Sequence, residues 1–322
     1  MLQPAAPRIL ASAWLDLCWH GLAQLPLPVG DAASLHDPVY IAWSGKHLRA
    51  ELRTLPSDAA QLAAWVGQAA HGPWLQLWPA LHVSVEDFAV QAGRPFREVR
   101  WADAQRQRLA IALQRALPEA LIEVFRAALW SELRAGYLEL RERQVLERLA
   151  GERHALAEDL AALGRHFAAV HLVDWQVSHP LRRHGRLLGG PTPTIAIGLP
   201  DPALAVPRYA PILQGWHELV LLHVQRAVAE AAPGDPRAGR PGHAAHQRVE
   251  RLALTLGARL LDVPELLEPQ RLWLQCVLRR VPAAQVADVR GWVAAGGLLD
   301  GASALELDAR TAEVGAALRS AT

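Results

Sequence analysis

Lysine is almost missing from this chain: Lys46 is the only one, although Lys and Arg together number 33 in 322 residues. Ala, Leu, Arg, Gly and Pro dominate throughout, a bias expected of GC-rich coding, so abundant arginine is not evidence of phosphate recognition. Strong charge is also missing. A formal net charge of +1 argues against nucleic acid, an anionic membrane or an acidic substrate as partner. Cysteine is scarce: Cys18 and Cys276 both sit in apolar helical contexts. Each reads as a buried free thiol, with no disulfide framework, redox pair or cysteine metal cluster. No apolar run reaches the roughly 18 residues of a membrane span, and no segment has the form of a signal peptide. Cytoplasmic residence is the expectation. Several site patterns are absent too. There is no Gly-x-Ser-x-Gly elbow, no dinucleotide fingerprint and no catalytic-cysteine context. Gly189-Gly190-Pro191 lacks the Lys and Ser/Thr of a phosphate loop. Asp159, Asp174, Asp201 and Glu218 are too scattered to argue a carboxylate pair.

Aromatic usage is lopsided, with 12 Trp against 4 Phe and 3 Tyr. Six tryptophans fall between Trp14 and Trp78. A Trp-rich first quarter forms a large core, a peptide groove or a dimer surface. Residues 10–24 read as a helix with Trp14, Leu15, Cys18 and Trp19 on one face. Residues 38–54 alternate partly and suit a short hairpin turning at Gly45. Ser57 and Asp58 can cap a helix over 58–70. Leu81, Val83 and Val85 recur with period two and suit a strand. From Asp103 to Phe167 the pattern is helical, with Pro118 opening a new helix and Gly151 and Gly164 able to break it. The amphipathic stretch 137–167 packs on a core or forms a dimer face.

Residues 171–200 differ. A short alternating run precedes a basic loop, and Thr194–Leu199 is strand-like. A helix follows over 209–230, with Pro211 in its first turn. Residues 231–242 read as a mobile loop. Further helices fit 243–261, 265–280, 282–295 and 303–319. No internal repeat appears. The chain reads as one domain, with a possible N-terminal part at 1–100, a helical part at 101–170 and a C-terminal part at 171–322.

Three stretches could carry chemistry. In an HExxH helix, residues i and i+4 share a face, so two imidazoles reach one zinc while the glutamate activates water. Here His217 and Glu218 fit, but position 221 is leucine. His223 lies about 240° further round the helix and cannot share a metal with His217. His217 is therefore a structural residue, a relic of a metal site or a rearranged ligand. His243, His246 and Glu250 fall within about 60° on one helix face. They make either an alternative metal set with His217, if the two helices are adjacent, or a solvent-facing helix start. His179, Arg182, Arg183, His184 and Arg186 form a basic loop that could take an acidic peptide segment or a C-terminal carboxylate. The plain alternative is a solvated loop.

Residues 186–230 resemble the HExxH-type proteins of gene clusters for ribosomally made, post-translationally modified peptides. The shared parts are Gly189-Gly190-Pro191, the run from Thr194 to Leu199-Pro200, and His217-Glu218 on the next helix. In that family iron or zinc is held by two histidines; only His217 and Glu218 carry over, and Leu221 stands where the second histidine belongs. The resemblance implies a degenerate zincin-like relative that binds a precursor peptide without modifying it, similar to the peptide-binding proteins of crocagin biosynthesis. The expected fold is α+β, mainly helical, with a small sheet that pairs N-terminal strands with 193–199 and packs on the 209–230 helix. The expected function is non-catalytic capture of a precursor peptide for partner modifying enzymes, with Trp216, His217, Glu218 and the basic loop as candidate contacts. The alternatives are an iron- or zinc-dependent oxygenase or hydrolase with a rearranged His/Glu site, and a helical scaffold that forms a homodimer.

Overall fold

In a computed structural model that describes residues 7–25, 38–52, 58–68, 77–181, 185–188, 193–199, 209–231, 244–270, 272, 299 and 301–320, the chain is mainly helical around one small mixed sheet. The first helix, α1 (Ala13–Ala23), begins where the Ser12 hydroxyl accepts the Leu15 amide at 3.3 Å. All its residues from Trp14 to Ala23 are buried. It lies on α6 (Glu119–Arg134), and Gly21 makes the approach possible: a Cβ there would stand 2.4 Å from Leu129 Cδ2.

Two sequence expectations in this half are overturned. Residues 38–54 do not form a hairpin, because Pro38–His47 is helix α2. Its buried positions, Tyr40, Ser44 and Leu48, recur every four residues, and Gly45 is an ordinary helical residue with open space beside it. Nor is 81–85 a strand. Ser84 caps helix α4 (Val85–Gln91) by accepting the Asp87 amide at 3.2 Å. Leu81, Val85 and Phe88 are buried while Val83 is 67% exposed, so a period near four decides. The expected helix at 58–70 is present as α3 (Ala59–Gln68); its proposed cap Ser57 lies outside the described residues.

The 103–167 stretch divides into α5 (Ala104–Ala116), capped by Asp103, then α6, α7 (Tyr137–Gln144) and α8 (Leu146–Gly164). Pro118 precedes α6 as expected. Gly136, at φ 95, turns the chain between α6 and α7. Gly151 does not break α8, whereas Gly164 closes it against the His171 ring. Leu149, Leu156, Leu160 and Leu163 are buried in the protein's own core, so this apolar stripe packs inward.

Four strands, β1 (Ile9–Leu10), β2 (Asp174–Ser178), β3 (Gly185–Leu188) and β4 (Thr194–Gly198), lie in the order β1-β2-β4-β3. The N-terminal strand pairs with β2 rather than with 193–199; β2 supplies the link to β4, and both pairings are parallel. Only β3 runs antiparallel, on β4. The two faces join different cores. Trp175, Val177, Ile195 and Ile197 pack with α8 and with α9 (Ala210–Ala231), α10 (Ala244–Leu260) and α11 (Gly301–Arg319). Ala196 and Leu188 pack with the cluster built from α1 and the helices of the first half. Gly215 seats α9 on the sheet: a Cβ there would lie 2.2 Å from the Trp175 ring. Trp14, Trp19 and Trp78 are core residues, which settles part of the aromatic excess. Among the described residues, no helix is long and apolar enough to cross a membrane. Of the loop expected at 231–242, Ala231 closes α9 and the rest falls outside the described residues, as do the helix expected at 282–295 and most of that at 265–280, apart from a short turn at Pro264–Leu266 and the residues around it.

Candidate functional site

Helix α9 carries Trp216, His217 and Glu218 on three different sides, because successive residues turn by about 100°. Trp216 points into the core. It is fully buried, its ring centroid lies 4.6 Å from that of Phe167, and its Nε1 donates to the Gly257 carbonyl at 3.3 Å. It is a packing residue and not a peptide contact. Glu218 faces β3: its Oε2 accepts the Leu187 amide at 3.0 Å, and its Oε1 lies 3.9 Å from Arg186 Nη1. Arg186 Nη1 also donates to the Gly185 carbonyl at 2.7 Å. Glu218 and Arg186 side chains are each only 14% exposed.

Helices α9 and α10 are packed neighbours, so the adjacency that an alternative site required is present. Glu250 on α10 is close enough for its charge to act on both His217 and Arg186. Burial holds the His217 imidazole below its usual range, with Glu218 and Glu250 pulling upward. Burial likewise lowers Arg186, again opposed by Glu218 and Glu250. The structure therefore gathers His217, Glu218, Glu250 and Arg186 into one half-buried charge cluster. That cluster does not suit a metal. A guanidinium stands among the would-be ligands, and among the described residues no group of three His, Cys, Asp or Glu is placed to hold an ion. His243 and the side chain of His246 lie outside the described residues.

The basic loop is not one solvated unit. His179 is buried, edge-on to Trp43 at 4.7 Å and to Tyr40 at 5.6 Å. Arg186 belongs to the α9 cluster, and Arg182, Arg183 and His184 lie outside the described residues. A surface hollow of about 370 Å³, lined by Ala92, Arg94, Pro95, Arg97, Glu119 and Glu123, contains none of the expected site residues.

Sequence reasoning missed a second polar cluster on the other face of the sheet. His20 Nε2 lies 2.8 Å from Glu132 Oε2, where the carboxylate accepts the ring proton, and Nδ1 is hydrogen-bonded to the Tyr40 hydroxyl at 2.7 Å. The Tyr137 ring stacks on His20 at 4.1 Å, and its phenol, raised first by burial, bonds Tyr40. Beside them Arg141 Nε donates to Asp16 Oδ2 at 2.6 Å; burial raises the Asp16 carboxyl while Arg141, Ser178 and the His179 backbone lower it. The sequence did carry a signal: Asp16 and His20 are four apart inside an otherwise apolar helix. Cys18, between them, is a buried free thiol as expected, with its pKa pushed well up by burial; Cys276 is outside the described residues.

No protein-family model, no curated protein and no solved structure matches the chain.

Proposed function

We propose that this protein captures an extended precursor peptide in ribosomal-peptide biosynthesis and presents it to modifying enzymes without carrying out chemistry itself. One observation carries the reading. The carboxylate that would activate water in a working HExxH helix is instead bonded to the Leu187 amide and faces the Arg186 guanidinium. A carboxylate so engaged, with Leu221 at the second ligand position, is held in a structural contact and not in the pose of a general base beside a two-histidine metal. A degenerate zincin-like descent agrees with the order of elements: strand β4, then a helix bearing His217-Glu218, laid on the sheet beside an edge strand. An edge strand of four residues suits recognition of peptide backbone.

Calorimetric titration tests the reading, with overlapping synthetic peptides that tile the short reading frames flanking the gene. Saturable heat from one region is the expected result; no heat from any peptide rejects it. Elemental analysis of protein purified without chelator is the companion measurement. A stoichiometric metal that disappears in His217→Ala overturns the non-catalytic assignment in favour of an iron or zinc enzyme.

A further inference from the structure

Among the described residues, both edges of the sheet carry charged side chains on their outward backbone groups. On β1 the Ile9 carbonyl accepts Arg153 Nη2 at 2.5 Å. On β3 the Leu187 N–H is held by Glu218 and the Gly185 C=O by Arg186. The two capped groups on β3 flank residue 186. They are the donor and acceptor that one residue of an added parallel strand would engage, through its own C=O and N–H. A carboxylate and a guanidinium thus occupy the places of a peptide's carbonyl and amide.

Building on the peptide-binding reading, we propose that Glu218 and Arg186 are a latch, closing β3 until an incoming extended peptide displaces them. Three features suit a latch better than a permanent seal. The ion pair is loose, at 3.9 Å, beyond the 2.7–2.9 Å of a bonded charge pair. A second carboxylate, Glu250, already acts on Arg186, so the guanidinium keeps a counter-charge when Glu218 swings away. And the strand behind the latch is four residues long against two in β1, long enough to pair with a peptide. Leu221, one turn from Glu218, and Leu187 are both half-buried against the same apolar core. The peptide residue that takes the latch's place would therefore be one with an N–H, which excludes proline, and its flank would be apolar.

The test uses the full chain and the same tiled synthetic peptides, followed by calorimetry and by amide exchange at Leu187. Glu218→Ala removes the competitor for the Leu187 N–H, and the expected result is binding about three- to tenfold tighter than wild type. Methylation of one backbone nitrogen in the peptide should abolish binding, and peptide should slow exchange of the Leu187 amide. Because the methylation scan uses the wild-type chain, it stands even if Glu218→Ala folds poorly. A peptide that binds equally well to both proteins, tolerates methylation at every position and leaves Leu187 exchange unchanged overturns the latch while leaving peptide capture intact. Absence of binding by any peptide overturns both.

Discussion

His20 and Glu132 stand 112 positions apart and meet at 2.8 Å inside the first core. His217 and Glu218 are chain neighbours that leave their helix about 100° apart, and although they share one charge cluster, Glu218 is spent on the Leu187 amide of an edge strand. The neighbouring pair is the one a reader of sequence notices, because a local motif advertises chemistry. The distant pair, with Tyr40 and Tyr137 attached, has the hydrogen-bonded order that local motifs are searched for. The contrast teaches that spacing along a helix reports which residues share a face and not what that face meets. At α9 it meets an edge strand; at α1 it meets another helix bearing a carboxylate.

The comparison can be broken by stability measurements. The largest effect is expected next to the distant pair: Arg141→Met strands the buried Asp16 carboxylate and should cost about 3–5 kcal/mol in denaturant unfolding. Glu132→Leu leaves the His20 Nε2–H without its acceptor and should cost about 3 kcal/mol. Combined with His20→Phe, the two losses should be non-additive by about 1–3 kcal/mol, whereas strict additivity would show that the pair is not coupled.

A third effect depends on pH. His82, packed on Trp14, Phe88 and Trp101, has its pKa lowered by burial to about 4, against a raising influence of Asp87. The unfolded chain then takes up this proton first. Stability is full above the ordinary histidine pKa near 6.5 and falls as pH drops from there towards 4, by about 2–3 kcal/mol. His82→Phe should flatten that stretch of a thermal-melt profile; an unchanged slope would mean other groups set it. The smallest effect belongs to the neighbouring pair: His217→Gln should change stability by less than about 1 kcal/mol, and chelator should leave the melting temperature unmoved. A larger loss would put His217 on a par with His20.

Much of the helical half was legible because helices are local. The helix starts at Asp103 and Pro118 and the long α9 follow from cap chemistry and a 3.6-residue period, whereas the helix read over 10–24 begins only after Ser12, because Leu10 belongs to β1. The failures share one cause. Val83 and Gly45 made short windows look alternating, and a window of five residues cannot separate period two from a half-turn of helix. Partnership across the sheet was not legible at all. Nothing in the basic loop separates Arg186, drawn under Glu218, from His179, drawn beneath Trp43. That division is made by β3 folding back on β4.

The register that places Ile9 opposite Trp175 has a consequence for synthesis. Neither residue of the first strand has an edge to join until more than half of the chain has left the ribosome, so α1 and its tryptophans must assemble with α6 while one border of the sheet is still bare. Long-range closure of this kind is slow and exposes unpaired backbone during the wait. Truncations ending before residue 174 should therefore be prone to aggregate, even though they retain every helix of the first core.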